Sequence, residues 1–88
     1  MKTRTIHKFD LDLRGVTVLP AGEVLLVSDQ NGALRIWIAD ADDGRRRSFI
    51  VIGTGQTVPK DSAHVGSCQA GAYVWHVFAC DVFEENQA

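Results

Sequence analysis

The sequence predicts an all-β protein, a single-domain antiparallel β-sandwich or small barrel of about six to seven short strands. Three observations carry this prediction. Apolar and β-branched residues recur in short runs, and Gly, Pro, Asn and Asp separate these runs. No segment shows the periodicity of an amphipathic helix of about ten residues. The 88 residues are enough for one domain with a modest core. We expect residues 1–88 to form that domain, with an acidic tail at 84–88.

Four strands are predicted in the first half of the chain. Residues 5–13 alternate apolar with charged side chains, as in a half-buried strand, and residues 15–19 form a second strand that ends at a Pro-Ala-Gly turn. Residues 23–30 and 33–39 flank Asn31-Gly32. This dipeptide is the strongest short hairpin signal, because both of its residues tolerate positive φ.

A two-residue turn at Asn31-Gly32 fixes the register of this hairpin. On the outer face, Leu26 then lies beside Trp37 and Ser28 beside Arg35. An open face with Trp and Arg has the composition typical of binding surfaces, so we predict Arg35 and Trp37 to bind a ligand or partner. The inner face becomes an aliphatic core patch of Val27 beside Ile36, Leu25 beside Ile38, and Leu34.

Residues 45–52 form the fifth predicted strand, which begins with three arginines directly after Asp42, Asp43 and Gly44. This pattern has two interpretations. In one, the acidic and basic side chains neutralise each other across the turn. In the other, Arg46 and Arg47 bind an anionic ligand. The loop length leaves the register of this strand open. A shift of one residue changes which of the two arginines shares a face with Trp37.

A connection of about ten residues, 53–62, is the longest loop, which makes it the likeliest binding loop by length. It begins with Gly53, Thr54, Gly55 and Gln56, which we predict as binding residues. A phosphate-binding loop is disfavoured, since such a loop needs a helix N-terminus behind its glycines and none is predicted here.

The last hairpin joins residues 64–69 to 72–80 through a turn predicted at Ala70-Gly71. The second of these strands is apolar on both faces, and such a strand has to be covered on both. The chain's own sheets or a second subunit would supply the cover. We therefore predict Tyr73, Trp75 and His76 as interface residues of a homo-oligomer, with the ring nitrogens of His76 hydrogen-bonded.

Several chemistries are disfavoured. The predicted register places His76 opposite Val65 and His64 opposite Val77, which points the two histidines to opposite faces and argues against a shared metal ion. Cys68 and His76 could share a face of this hairpin, but they are three residue pairs apart, about 10 Å along the strand. We expect no enzyme, no catalytic residue, no cofactor and two reduced cysteines. The net charge of −2 makes nucleic acid an unlikely partner.

Membrane insertion is also disfavoured. No apolar run approaches the length of a transmembrane helix, and no signal-peptide core follows Met1. We expect a cytoplasmic protein.

Six short stretches make the chain resemble a group of small uncharacterised proteins encoded by tailed bacteriophages. The likeness covers almost the whole chain, and its ending is the most specific part. It implies a phage origin and expression in the host bacterial cytoplasm, and it supplies no catalytic residue. The stretches are His7-Lys8-Phe9, Leu19-Pro20-Ala21-Gly22, Gln30-Asn31-Gly32 with Trp37, Gly53-Thr54-Gly55 with Pro59, Val65-Gly66, and Val74-Trp75-His76-Val77-Phe78.

Small size, the two-faced strand and this resemblance together lead to a functional expectation. The protein is expected to be a non-enzymatic, homo-oligomeric binding protein that inhibits or sequesters a host defence factor, either a host protein or a small anionic, nucleotide-derived signal. A structural or accessory protein of the phage particle is the alternative.

Overall fold

A computed structural model describes residues 2–81 and confirms the all-β prediction. The described residues form seven strands and no helix. The predicted tail at 84–88 lies outside them. The strands are β1 (Thr5–Asp10), β2 (Val16–Pro20), β3 (Glu23–Gln30), β4 (Ala33–Asp40), β5 (Arg46–Gly53), β6 (Ala63–Ala70) and β7 (Tyr73–Asp81).

The strands form two antiparallel sheets that enclose the core. One sheet has the order β1-β4-β3 and the other the order β2-β5-β7-β6. Ile36 and Ile38 from β4 meet Phe49 from β5 and Val77 from β7, and all four side chains are fully buried. Burial of each such side chain contributes about 1.5–3 kcal/mol, so these four residues anchor the sandwich.

The β3–β4 hairpin follows the predicted register near its turn. Asn31 and Gly32 have φ of 55° and 83°. Val27 pairs with Ile36, Leu26 with Trp37 and Ser28 with Arg35. The predicted pairing of Leu25 with Ile38 is wrong. A β-bulge inserts Leu25 between paired residues, so Val24 lies opposite Ile38 and Leu25 is 45% exposed.

The β6–β7 hairpin differs from the predicted register. Its turn is Gly71-Ala72, because Ala70 pairs with Tyr73 and Gly71 adopts a φ of 62°. A glycine suits this first turn position, where a side chain would be strained. His76 consequently pairs with Ser67 and not with Val65.

A second β-bulge, at Val65, shifts the register of this hairpin again, farther from its turn. It places His64 opposite Phe78 and not opposite Val77. His64 and His76 therefore lie on the same face of the sheet, with ring centroids 6.5 Å apart. The prediction that they point to opposite faces is wrong.

The two faces of β7 have different surroundings. Trp75, Val77 and Ala79 point inward and pack in the core. Val74, His76 and Phe78 alternate with them and lie on the outer face of the four-stranded sheet, where Val74 is 38% exposed. Within residues 2–81, the other sheet thus covers only one of the two apolar faces.

Candidate functional site

A cleft of about 510 Å³ lies at one end of the four-stranded sheet, where the loop after β5 meets the turn before β7. Antiparallel pairing of Gly53 with Trp75 brings these two segments together. We call this site the aromatic cleft. It unites most of the predicted loop residues with the predicted aromatic residues, and it is lined by Gly53, Thr54, Gln56, Ala72, Tyr73, Val74 and Trp75.

Two stacked aromatic rings form one wall of the aromatic cleft. The rings of Tyr73 and Trp75 have centroids 5.6 Å apart and planes inclined by 21°. Trp75 is half-buried and packs against the core, whereas Tyr73 is 65% exposed. A rigid core residue therefore supports an exposed ring, which is the usual construction of an aromatic binding anchor.

The loop that forms the opposite wall is closed by its own hydrogen bonds. The Gly53 amide donates to Gln56 Oε1 over 2.6 Å, and the Gln56 amide donates to the Gly53 carbonyl over 3.1 Å. Gly55, with a φ of 96°, forms the bend between them and does not line the cleft. These bonds give the predicted binding loop a defined shape at its start.

An imidazole–hydroxyl chain, made of His64, Ser67, His76 and Thr54, borders the cleft on the outer face. His64 Nε2 lies 2.8 Å from Ser67 Oγ, which lies 2.9 Å from His76 Nδ1. His76 Nε2 lies 3.0 Å from Thr54 Oγ1. Thr54 Oγ1 also donates to the Val74 carbonyl over 3.5 Å. His76 on β7 thus contacts the loop after β5 through Nε2 and the neighbouring strand β6 through Nδ1.

The contact between Ser67 and His76 is one that sequence reasoning missed. A two-residue turn at Gly71-Ala72 is the signal that would have paired the two residues. A hydroxyl beside an imidazole is the start of a nucleophile–base arrangement. The partner of the second ring nitrogen is the neutral Thr54 hydroxyl, however, and not a carboxylate that would stabilise an imidazolium ion. Cys68, expected to share a face with His76, instead points into the core beside Trp75.

Arg35 and Trp37 lie elsewhere, on the outer face of the three-stranded sheet. Arg35 donates from Nε to Asp10 and from Nη1 to Gln30, each over 2.8 Å. The Lys8 ammonium group lies 5.9 Å from the centroid of the Trp37 ring. The Arg35 guanidinium is therefore already paired within the chain.

The arginine run does not form one cationic site. Arg46 and Arg47 alternate across β5, so they point to opposite faces. Arg46 donates to the Val18 carbonyl over 3.0 Å, and Arg47 packs over the Phe49 ring with its Nε 3.9 Å from Asp81. Arg35, Arg46 and Arg47 thus lie on three separate surfaces.

Arg45 and Asp43 pair across the turn before β5, which agrees with the interpretation that acidic and basic residues neutralise each other there. The Arg45 amide donates to Asp43 Oδ1 over 3.0 Å, and its guanidinium donates to Asp43 Oδ2 over 2.9 Å. The backbone hydrogen bond, followed by the side-chain one, lowers the pKa of Asp43 below its ordinary value.

Residues 2–81 lack two further features. They hold no group of three or more His, Cys, Asp or Glu side chains placed to share a metal ion. This same part of the chain has no helix long and apolar enough to cross a membrane.

The chain is a small antiparallel β-sandwich with a cleft beside two stacked aromatic rings at one end. The chain belongs to the family described as Domain of unknown function (DUF7352), whose model matches residues 2–88. No curated protein and no solved structure matches the chain.

Proposed function

We propose that this is a non-enzymatic binding protein that uses the aromatic cleft to inhibit a protein of a bacterial host. The observation that carries the proposal is the Tyr73–Trp75 stack, with Tyr73 65% exposed beside a cleft of about 510 Å³. The resemblance to small phage proteins suggests a host defence factor as the target and the host cytoplasm as the location.

The chemistry of the lining favours a protein over an anionic small molecule. Among residues 2–81, no charged residue lines the aromatic cleft. Of the cations predicted for an anion site, Arg35 and Arg46 have partners on other surfaces. Arg47 also lies outside the cleft, 3.9 Å from Asp81 and without a hydrogen bond at its buried Nε. An apolar or aromatic side chain of a partner matches the stacked rings, and a backbone carbonyl of the partner would match the side-chain Nε2 of Gln56.

Affinity capture from host lysate tests this proposal. The immobilised protein is expected to retain a host protein, and Tyr73→Ser is expected to release it, because the substitution removes the exposed ring from the cleft. Leu26→Ser is the matched control, since Leu26 is 51% exposed on the other sheet. Equal capture by wild type and Tyr73→Ser would remove the cleft from the interaction.

A second measurement separates the two kinds of target. Heating the lysate-treated protein releases any bound small molecule for mass spectrometry. We expect no nucleotide-derived compound in the released fraction. A stoichiometric nucleotide would replace the protein target with a sequestered signal.

We also propose that the protein self-associates through the outer face of the four-stranded sheet. Val16, Ile50 and Phe78 lie side by side there on three neighbouring strands, and Val16 is 58% exposed. The three side chains of this row carry no charge, Arg46 bonds to a carbonyl at its margin, and Arg14 lies beside the row in a pocket that Val16 and Ile50 also line. Such a face suits an interface between identical subunits.

The same apolar face favours the second candidate function, a structural or accessory component of a phage particle. Subunits of such particles need surfaces that bind other subunits, and this row provides one. Mass spectrometry of purified particles tests it. Presence in fixed proportion to the major coat protein supports the particle role, and absence rules it out.

A further inference from the structure

We propose that the aromatic cleft binds a proline-rich segment of its protein partner in the polyproline II conformation. The inference rests on the proposed function, because it names the chemistry of the partner at that same site. It starts from the polar groups of the cleft, some of which the chain already uses for its own hydrogen bonds.

The side-chain acceptors of the loop wall are engaged within the chain. Gln56 Oε1 accepts from the Gly53 amide over 2.6 Å, and Thr54 Oγ1 lies 3.0 Å from His76 Nε2. The side-chain Nε2 of Gln56 and the hydroxyl of Tyr73 are donors among the residues that line the cleft. The cleft therefore suits a ligand that accepts hydrogen bonds and brings few donors of its own.

A proline-rich segment has this chemistry. Proline has no backbone N–H, and a polyproline II helix has no internal hydrogen bonds, so its carbonyl oxygens are available to accept. A sugar or an ordinary extended peptide brings hydroxyl or N–H donors, which would compete for the acceptors that Gly53 and His76 already occupy.

The stacked rings suit the apolar surface of a prolyl ring. Trp75 covers one face of the Tyr73 ring, with centroids 5.6 Å apart, and Tyr73 is 65% exposed. The other face of this ring is open to a ligand, and proline-rich segments dock in aromatic-lined grooves of this kind. Among residues 2–81 the lining carries no charge, which matches a neutral segment.

The position of β7 excludes strand addition as the mode of recognition in the cleft. This strand lies between β5 and β6. Trp75 pairs with Gly53 on one side and with Cys68 on the other. Because the backbone of β7 already belongs to two ladders, a partner has to be recognised through side chains. A polyproline II segment is bound in that way.

Titration of the intact chain with a blocked decapeptide of proline tests the inference, followed in ¹H–¹⁵N spectra. We expect saturable shifts of the Trp75 indole N–H and of the Gln56 side-chain amide. The indole of Trp37, which lies on the other sheet, should not shift. A blocked decapeptide of alternating glycine and serine, which is flexible, and the neutral sugar maltohexaose are the control ligands, and neither is expected to bind.

Two variants separate the ring from the donor. Tyr73→Ser should weaken proline binding at least about tenfold, because it removes the open ring. Gln56→Glu keeps the oxygen that accepts from the Gly53 amide but loses the donor, so it should weaken binding about threefold to tenfold. Leu26→Ser, on the other sheet, should keep wild-type affinity.

The result of the host-protein capture distinguishes failure of this inference from failure of the proposed function. No proline binding by the wild type, equal affinity in either cleft variant, or equal or tighter binding of a control ligand would overturn the inference. Capture that still depends on Tyr73 would then leave the proposed function standing. Proline binding that depends on Tyr73, with equal capture by wild type and Tyr73→Ser, would support the inference and overturn the proposed function.

Discussion

His76 connects the sheet to the candidate site through both of its ring nitrogens. Nδ1 lies 2.9 Å from Ser67 Oγ on β6, and Nε2 lies 3.0 Å from Thr54 Oγ1 in the loop after β5. Each bond contributes about 1 kcal/mol, and a half-buried imidazole that loses one of them keeps an unsatisfied polar atom. The shape of the cleft wall therefore depends on one hydroxyl group of the loop.

Thr54→Val tests this dependence, because valine has nearly the shape of threonine and lacks the hydroxyl. We expect the free energy of unfolding to fall by about 1 kcal/mol, measured by urea denaturation. Thr57→Val, at an exposed position farther along the same loop, is the matched control and should change stability little. Equal stabilities for the two variants would mean that the Thr54 contact with His76 does not hold the loop.

The residues of the cleft were predicted as two separate sets, and only the pairing of β5 with β7 unites them. Gly53, Thr54 and Gln56 were predicted from the length of the loop, and Tyr73 and Trp75 from a strand that is apolar on both faces. Their meeting depends on the register of β5, which the sequence left open. Ser67 was missed altogether, because a small polar residue on an edge strand has no signal of its own until its cross-strand partner is known.

At the scale of the strand, the turn chemistry explains which registers were predicted correctly. Asn31-Gly32 admits one favoured turn, and the pairing of Val27 with Ile36 follows from it. Ala70-Gly71-Ala72 is compatible with two turns, Ala70-Gly71 and Gly71-Ala72, in which the glycine takes the second or the first turn position. Choosing the wrong turn shifts every residue pair of the β6–β7 hairpin. The bulges at Leu25 and Val65 have no turn-like signal, because packing between the two sheets sets them.

In the β2–β3 connection, close packing against the backbone of β4 requires a glycine at position 22. A Cβ atom on Gly22 would overlap the Ala39 carbonyl oxygen and lie 2.8 Å from Ile38 Cγ2. Both neighbours belong to β4, which sits at the centre of its sheet and cannot retreat. We expect Gly22→Ala to lower the free energy of unfolding by about 1–3 kcal/mol, measured as a reduced thermal midpoint.

Gly15→Ala is the matched control for that substitution. The nearest atom to its new methyl group is the carboxylate of Asp12, at the far end of a flexible side chain. Its cost should therefore be much smaller. A Gly22→Ala protein as stable as Gly15→Ala would show that the connection moves away from β4 easily.

At the scale of the whole molecule, the described chain is thin. The Cα atoms span 42 × 33 × 16 Å, and Val16 and Leu26 are more than half exposed on the outer faces of the two sheets. The sequence showed that β7 is apolar on both faces. It did not show which face the other sheet covers, because Trp75 and Phe78 are equally suited to a core. The structure places Trp75 inside and Phe78 on the outer face.

The uncovered face leads to the prediction that the protein is an oligomer in solution. Light scattering at micromolar concentration should give a mass that is a multiple of 9.6 kDa. Val16→Lys should reduce the mass to that of one chain, because it would bury a charge between two apolar rows. The fold should survive, since Val16 is 58% exposed within one chain.

Ile6→Lys is the control for this experiment, because Ile6 is 60% exposed on the three-stranded sheet and its substitution should leave the mass unchanged. Loss of association in both variants would point to a general effect of added charge. A wild-type mass of 9.6 kDa would mean that Val16, Ile50 and Phe78 face water in the free protein. The row would then be a surface for the partner, and Val16→Lys should weaken capture of the host protein along with Tyr73→Ser.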